Sequence, residues 1–242
     1  MDETIYQLVR NAEQNDQQGS TTISKYVTFD MRENIEKVDA YLNSKHISGD
    51  TDDMGREKPF FNIVTAATNI WYRATDLDRK NIRVRATKAS DVVLSFLGNA
   101  HLQEWMRKAN FGQFLNEWGR TLVRYGSAVV KFVEKDGELY AEVIPWNRII
   151  VDPIDFDSNP KIEVLELTPA QLRKREGYDQ EIVEKLIETK ASRETMEGQT
   201  KDNRSDYIKI YEVHGELPLS FHTGKDKDAD TYVLHMHVVS FV

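Results

Sequence analysis

The stretch from Phe111 to Ile144 leaves this chain the least freedom. Phe111, Phe114, Leu115, Trp118 and Leu122 recur at helical spacing, which makes one face of a helix apolar. Tyr125-Gly126 follows, and glycine takes the left-handed cap conformation without steric cost, so the helix should end with positive φ at Gly126. Directly beyond, Ser127-Ala-Val-Val-Lys-Phe-Val-Glu134 and Leu139-Tyr-Ala-Glu-Val-Ile144 flank Lys135-Asp-Gly-Glu138. Asp136-Gly137 is a tight-turn signal, so the two runs are expected to pair as a β-hairpin that Pro145 closes. Helices alternating with hairpin-linked strands indicate an α+β fold.

The rest of the chain divides into two expected regions. In residues 1–58, Ile5, Leu8, Val9 and Ala12 form one helical stripe and Ile35, Val38, Tyr41 and Leu42 another, with the polar stretch Gln14 to Ser24 between them. Asn43 to Lys58 is polar and reads as a loop or linker, so this region is expected to be a helical N-terminal arm, with a free disordered tail as the alternative. Residues 59–242 are expected to form a domain of mixed helices and antiparallel sheet. Ile63, Val64, Ala67, Ile70 and Trp71 mark a helix, and Ile82-Arg-Val-Arg-Ala86 alternates like a half-buried strand. Ser90 and Asp91 stand where caps belong for a helix bearing Val93, Leu94, Leu97, Leu102, Trp105 and Met106. Trp105, Trp118 and Trp146 are read as core.

Arg148 to Asp152 should be a short extended piece. Thr168-Pro-Ala-Gln171 carries the elements of a capping box with proline in the first turn, and Gly177 should break that helix. Asp179 should cap a further helix with Ile182, Val183, Leu186 and Ile187 inward. Ala191 to Asp206 reads as a polar loop, and Tyr207 to Val213 and Thr231 to Val242 as strands. The last strand runs to Phe241-Val242 without a stop signal, so the natural chain is expected to continue.

Composition removes several classes of function. Lys and Arg total 32 against 40 Asp and Glu, a formal charge of −8, so the overall field does not draw the protein to nucleic acid. With no cysteine there is no disulfide, thiolate zinc site or thiol nucleophile. The start, Met-Asp-Glu-Thr-Ile, has no signal-peptide character, and no apolar run approaches the roughly 20 residues that span a bilayer. A soluble protein made inside a cell is expected, with no membrane partner.

Four constellations invite a chemical reading. Asp155, Asp157, Asn159 and Glu166 have the spacing of an EF-hand calcium loop, but Pro160 occupies the position that needs a glycine turn, so a solvated acidic turn is expected. His235 and His237 share a strand face, as in some zinc sites; with His214 and His222 as the candidate third ligands, two polar residues on the wet face of an edge strand are the favoured reading. Arg73, Arg79, Lys80, Arg83, Arg85 and Lys88 form a basic strip against Asp76 and Asp78. Of these, Arg79, Lys80, Arg83 and Arg85 can face phosphates, or can simply be the solvent side of a strand, since the aromatics of a single-strand binder are absent. Gly224-Lys225 is no phosphate loop, because Leu219 and Asp226 stand at its required positions. No catalytic residue, metal or cofactor is indicated.

Three stretches carry a resemblance to a known family. They are Pro59-Phe-Phe-Asn-Ile-Val-Thr-Ala-Ala-Thr-Asn-Ile-Trp71, Phe114-Leu-Asn-Glu-Trp-Gly-Arg-Thr-Leu-Val-Arg-Tyr-Gly-Ser-Ala-Val-Val-Lys-Phe132 and Ile144-Pro-Trp-Asn-Arg-Ile-Ile-Val-Asp-Pro153. Thr168 to Arg175 and Tyr211 to Pro218 add to them. Their order resembles the wing region of tailed-bacteriophage portal proteins. That resemblance implies a ring-forming homo-oligomer, a dodecamer in the family. It implies capsid, terminase and tail adaptor proteins as partners, and double-stranded DNA passing through without sequence-specific binding. The protein would be found in the virion, and in host cytoplasm during assembly. The competing expectation is an intracellular α+β enzyme acting on nucleotides or nucleic acid.

Overall fold

The computed structural model describes residues 4–18, 20–24, 27–74, 77–135, 137–152, 154–197, 207–224, 228 and 230–241. In chain order its elements are α1 (Ile5–Gln18), β1 (Ser20–Ser24), β2 (Val27–Asp30), α2 (Met31–Leu42), α3 (Ile63–Ala74), α4 (Val92–Lys108), α5 (Phe111–Tyr125), β3 (Val129–Lys135) and β4 (Glu138–Ile144). They continue with β5 (Ile149–Ile150), β6 (Lys161–Leu167), α6 (Pro169–Arg173), α7 (Gln180–Glu197), β7 (Ile208–Pro218), α8 (Ser220–Thr223) and β8 (Tyr232–Val239). Every strand pairing between them is antiparallel, and the fold is α+β. The chain forms two compact units, residues 1–31 with 148–242, and residues 32–147. The expected boundary after residue 58 therefore falls inside the second unit.

The first unit is built on a four-stranded sheet in the order β5-β6-β7-β8. Alternation along β7 sends Tyr211, Val213 and Leu217 to one face, where they join Ile150, Ile162, Val239 and the fully buried Val9 of α1. The helix expected from Ile5, Leu8, Val9 and Ala12 thus forms, but it is part of the sheet's core and not of an arm. Glu13 of α1 reinforces the contact by accepting from Tyr211 Oη at 2.7 Å and from Lys209 Nζ. On the other face Ile208, Ile210 and Leu165 pack with Leu172 of α6 and Val183 of α7. Strand β6 was not expected from the sequence, and neither was the β1–β2 hairpin in the polar stretch after Gln14.

Helix starts in this unit follow local chemistry. Thr168 accepts from Gln171 N at 3.4 Å and Gln171 Oε1 accepts from Thr168 N at 2.9 Å, completing the capping box. Asp179 Oδ1 accepts from Glu181 N at 2.9 Å at the start of α7. Helix α6 stops at Arg173, short of Gly177, and α7 runs on to Glu197, through part of the expected polar loop. The remainder of that loop, residues 198–206, lies outside the described residues.

In the second unit α5 is the hub. It packs against α3, α4 and β4, burying Leu115 and Gly119. A Cβ at position 119 would meet the Tyr72 ring at 3.4 Å, so glycine admits α3 closely. Tyr125 Oη donates to Asp39 of α2, and burial, then that carboxylate, push its pKa up to about 12. The three tryptophans read as core are half-buried; Trp105 Nε1 donates to Leu139 O at 2.9 Å and Trp146 Nε1 to Ser127 O at 3.0 Å. Much apolar surface stays open: Phe61, Ile63, Ile70 and Trp71 about α3, and Val92, Val93, Leu94, Phe96 and Leu97 on α4. Ser90 and Asp91 lead into α4 without a side-chain cap bond, because Ser90 Oγ donates to Asp91 Oδ1 instead.

The helix-to-hairpin junction matches its expectation. Gly126 has φ of 75° and its N–H donates to Leu122 O at 2.8 Å. Lys135 and Glu138 pair across the turn, with Gly137 at φ 74°; Asp136 lies outside the described residues. Nothing lies within 4 Å of a Cβ built on Gly126, so a substitution there meets backbone strain alone. Gly126→Val should lower stability by about 1–3 kcal/mol, read as a lowered melting temperature. An unchanged melt would mean that the helix can end without this residue.

Candidate functional site

The basic strip does not lie on a paired strand. Asp78 Oδ1 accepts from Lys80 N at 3.0 Å and caps a single 3₁₀ turn that carries Arg79 and Lys80. Residues 82–86 then run extended beside α4, where a strand was expected. The reason is that a side chain takes the place of a partner strand. Asn99 of α4 accepts from Val84 N at 2.8 Å and donates to Val84 O at 2.6 Å, satisfying both backbone groups as a neighbouring strand would. Gln103 adds a bond to Ile82 O at 3.3 Å. Arg79, Lys80, Arg83 and Arg85 are all exposed, and Lys80 and Arg83 line an open recess with Asn99 and Gln103. Among the described residues no acid pairs with these four. They can meet phosphates, but as exposed surface cations without stacking aromatics.

The acidic turn behaves as expected of a turn. Asp152 accepts from Ile154 N at 2.8 Å and from Asn159 Nδ2 at 3.0 Å, while Asp155 accepts from Ser158 N at 3.2 Å. Glu166 sits on β6 opposite Lys209, and Asp155, Asp157, Asn159 and Glu166 do not gather about a common point. The Asp152, Asp155 and Asn159 side chains bond within the loop itself.

The histidine pair on β8 departs from its expected place. His235 and His237 do share a face, with ring centroids 4.6 Å apart, but it is the inner face that bears Val239. Tyr232, Leu234, Met236 and Val238 are the residues turned outward. Register explains the inversion: Val213 opposite His237 and Gly215 opposite His235 belong to the row of β7 that faces α1. His214 falls in the other row and cannot be their third ligand. The side chain of His222 lies outside the described residues.

A different cluster occupies the face that His214 shares. Glu163 of β6 and Glu212 of β7 are direct cross-strand neighbours, 9% and 2% exposed. Burying a carboxylate is costly unless donors compensate it, and two do. Arg175 Nη2 donates to Glu212 Oε1 at 3.1 Å, and Tyr178 Oη donates to the same oxygen. Burial, then the adjoining Glu212 carboxylate, push the Tyr178 phenol well above its ordinary pKa. His214 Nε2 lies 3.5 Å from the other oxygen, Oε2. One ligand atom each from Glu163, Glu212 and His214 all fall within 4.8 Å of one another, the one such set of three among the described residues. The signal available in the sequence was a lone acid inside an apolar run, Ile162-Glu-Val164 and Tyr211-Glu-Val213.

A scan against models of protein families finds no match, and comparison with curated proteins finds no significant similarity. No helix among the described residues is long and apolar enough to cross a membrane.

Two outcomes follow from the geometry of the strip. Asn99→Ala should free residues 82–86 and speed tryptic cleavage after Arg83 and Arg85 about thirtyfold, the opening expected when two hydrogen bonds worth about 1 kcal/mol each are lost; an unchanged rate would show that Asn99 does not hold the segment. Four exposed cations on an acidic chain should bind duplex DNA weakly, with Kd above roughly 10⁻⁵ M near physiological salt by fluorescence anisotropy. Nanomolar binding lost on neutralising Arg79, Lys80, Arg83 and Arg85 would instead mark a nucleic-acid-binding surface.

Proposed function

We propose that this chain is the N-terminal part of a ring-forming portal subunit of a tailed bacteriophage, a non-catalytic conduit for double-stranded DNA. In that role it would meet further copies of itself, the capsid, terminase and tail adaptor proteins. The observation that carries the proposal is the second unit's combination of element order and open apolar surface. Its helix, basic segment, helix pair, glycine and hairpin follow one another as in the family that the sequence resembles. Phe61, Ile63, Ile70 and Trp71 about α3, and Val92, Val93, Leu94, Phe96 and Leu97 on α4, are between 56% and 80% exposed. Monomeric proteins seldom leave contiguous apolar patches above a few hundred Å² in water, and subunits of closed rings cover such rows with their neighbours. The formal charge of −8 adds support, because a passage for a polyanion must not hold it.

Ring formation is the deciding experiment. The full natural polypeptide, expressed alone and viewed by negative-stain electron microscopy, should form closed rings about a central channel, and native mass spectrometry should count about twelve copies. A monodisperse monomer at micromolar concentration would exclude the ring. The enzyme alternative draws on one observation, the convergence of Glu163, Glu212 and His214. It requires metal-dependent turnover of a nucleotide or nucleic acid that is lost in His214→Ala.

A further inference from the structure

Two apolar surfaces of the second unit match in chemistry and extent, yet both stay open within the chain. One is a groove of about 380 Å³ between α2, α3 and α5, lined by Val38, Leu42, Val64, Ala67, Trp71 and Val123. Its long side is a single face of α3, because residues 64, 67, 68 and 71 recur at helical spacing. The other is the row on α4, where Val93, Phe96 and Leu97 stand at i, i+3 and i+4 and are 56–71% exposed. That spacing is the one by which an amphipathic helix anchors itself in an apolar groove. A cavity of about 150 Å³ accepts a benzene ring, so the groove has room for the Phe96 phenyl and an aliphatic neighbour. The charged residue among those lining the groove is Arg124, and the α4 row begins at Asp91, so the two surfaces carry opposite signs at their margins.

We infer that the α4 row of one copy of this chain seats in the α2–α3–α5 groove of the next copy. The occupant is a second copy because one chain carries both halves of the contact. The exposed apolar side chains of each surface amount to on the order of 600 Å², so covering both buries about 1,200 Å², the lower limit of a specific interface. A two-fold contact of α4 on α4 would leave the groove open in both copies, whereas the row-in-groove contact covers the two surfaces together. Such a contact joins different surfaces on its two partners and is therefore head-to-tail. It closes into a ring or runs on as a filament according to the rotation it imposes. The inference deepens the ring reading and rests on it only for closure, since the row and the groove both lie within residues 32–147.

A head-to-tail contact has a signature in mixing experiments. The 242-residue chain should self-associate as its concentration rises, measured by light scattering after size exclusion. Phe96→Glu removes the row's anchor and Ala67→Glu fills the groove, and each should weaken association at least about thirtyfold, as loss of an interface anchor does. Both positions are exposed, and circular dichroism checks that the fold is kept. Mixed together, the two variants should form a one-to-one dimer and stop there, because the intact row of Ala67→Glu meets the intact groove of Phe96→Glu. The chain has no cysteine, so disulfide formation reads the same pairing should a glutamate variant unfold: Phe96→Cys chains should cross-link to Ala67→Cys chains in preference to themselves. A wild-type chain that stays monomeric up to about 100 μM overturns the interface, and so does Ala67→Glu pairing with itself or a mixture that does not pair. Rings of the full polypeptide that survive both glutamate substitutions would remove this interface and leave the ring reading standing. Row-in-groove pairing without closed rings would do the reverse.

Discussion

Strand β7 is hydrogen-bonded along both edges, and its two-residue alternation decides what each neighbour in the first unit can do. One row, Tyr211, Val213 and Leu217, demands an apolar helix, which α1 supplies through Val9. The other row, Ile208 and Ile210, demands a second apolar cover, which α6 and α7 supply through Leu172 and Val183. Glu212 interrupts that second row with a buried charge, so the cover must also bring donors. They come from the turn after α6, where Arg175 and Tyr178 reach its Oε1. The capping box at Thr168 fixes where α6 begins and hence where those donors arrive. At Gly215 the strand admits the 154–160 loop: a Cβ there would meet Pro160 Cα at 3.0 Å, tight enough that the loop would have to shift.

The second unit is organised on another principle. Its fully buried side chains are few, and polar groups replace missing secondary structure. Asn99 serves Val84 as half a strand, and the indoles of Trp105 and Trp146 bond hairpin and loop carbonyls. Such contacts are directional and individually worth about 1 kcal/mol. They fix the backbone of the basic segment without drawing Arg79, Lys80, Arg83 or Arg85 inward, so those cations remain on the surface.

What could be read from the sequence was whatever adjacent residues decide. Gly126, Gly137, the Thr168 box and the Asp179 cap each depend on neighbours within four positions, and each stands where the pattern put it. The misses need distant partners. Lys161 to Leu167 breaks simple alternation at Val164-Leu165, because this strand is covered on both faces and period-two polarity is lost. The 82–86 segment alternates like a strand, yet its partner is a side chain fifteen residues on. The Glu163–Glu212–His214 cluster joins residues far apart in the chain through a register set only when β6 meets β7.

The β8 histidines show why polarity alone misleads at an edge strand. Side-chain alternation tells which residues share a face but not which face is covered; the hydrogen-bonded register with the neighbouring strand decides that. Placing Val239 opposite Tyr211 puts Val239, His237 and His235 in the row facing α1, and the same register turns Leu234, Met236 and Val238 outward. Leu234 is 80% exposed in consequence. A one-residue slip would reverse both rows, hiding the aliphatics and exposing the imidazoles, but it would also set Val213, whose side chain is fully buried, against the wrong neighbours. The interior of β7 therefore overrides the solvation preference of β8. Apolar side chains are left outside in this unit for the same reason as on α3 and α4 in the other: the covered face takes precedence, and what remains must be borne by solvent or by another surface.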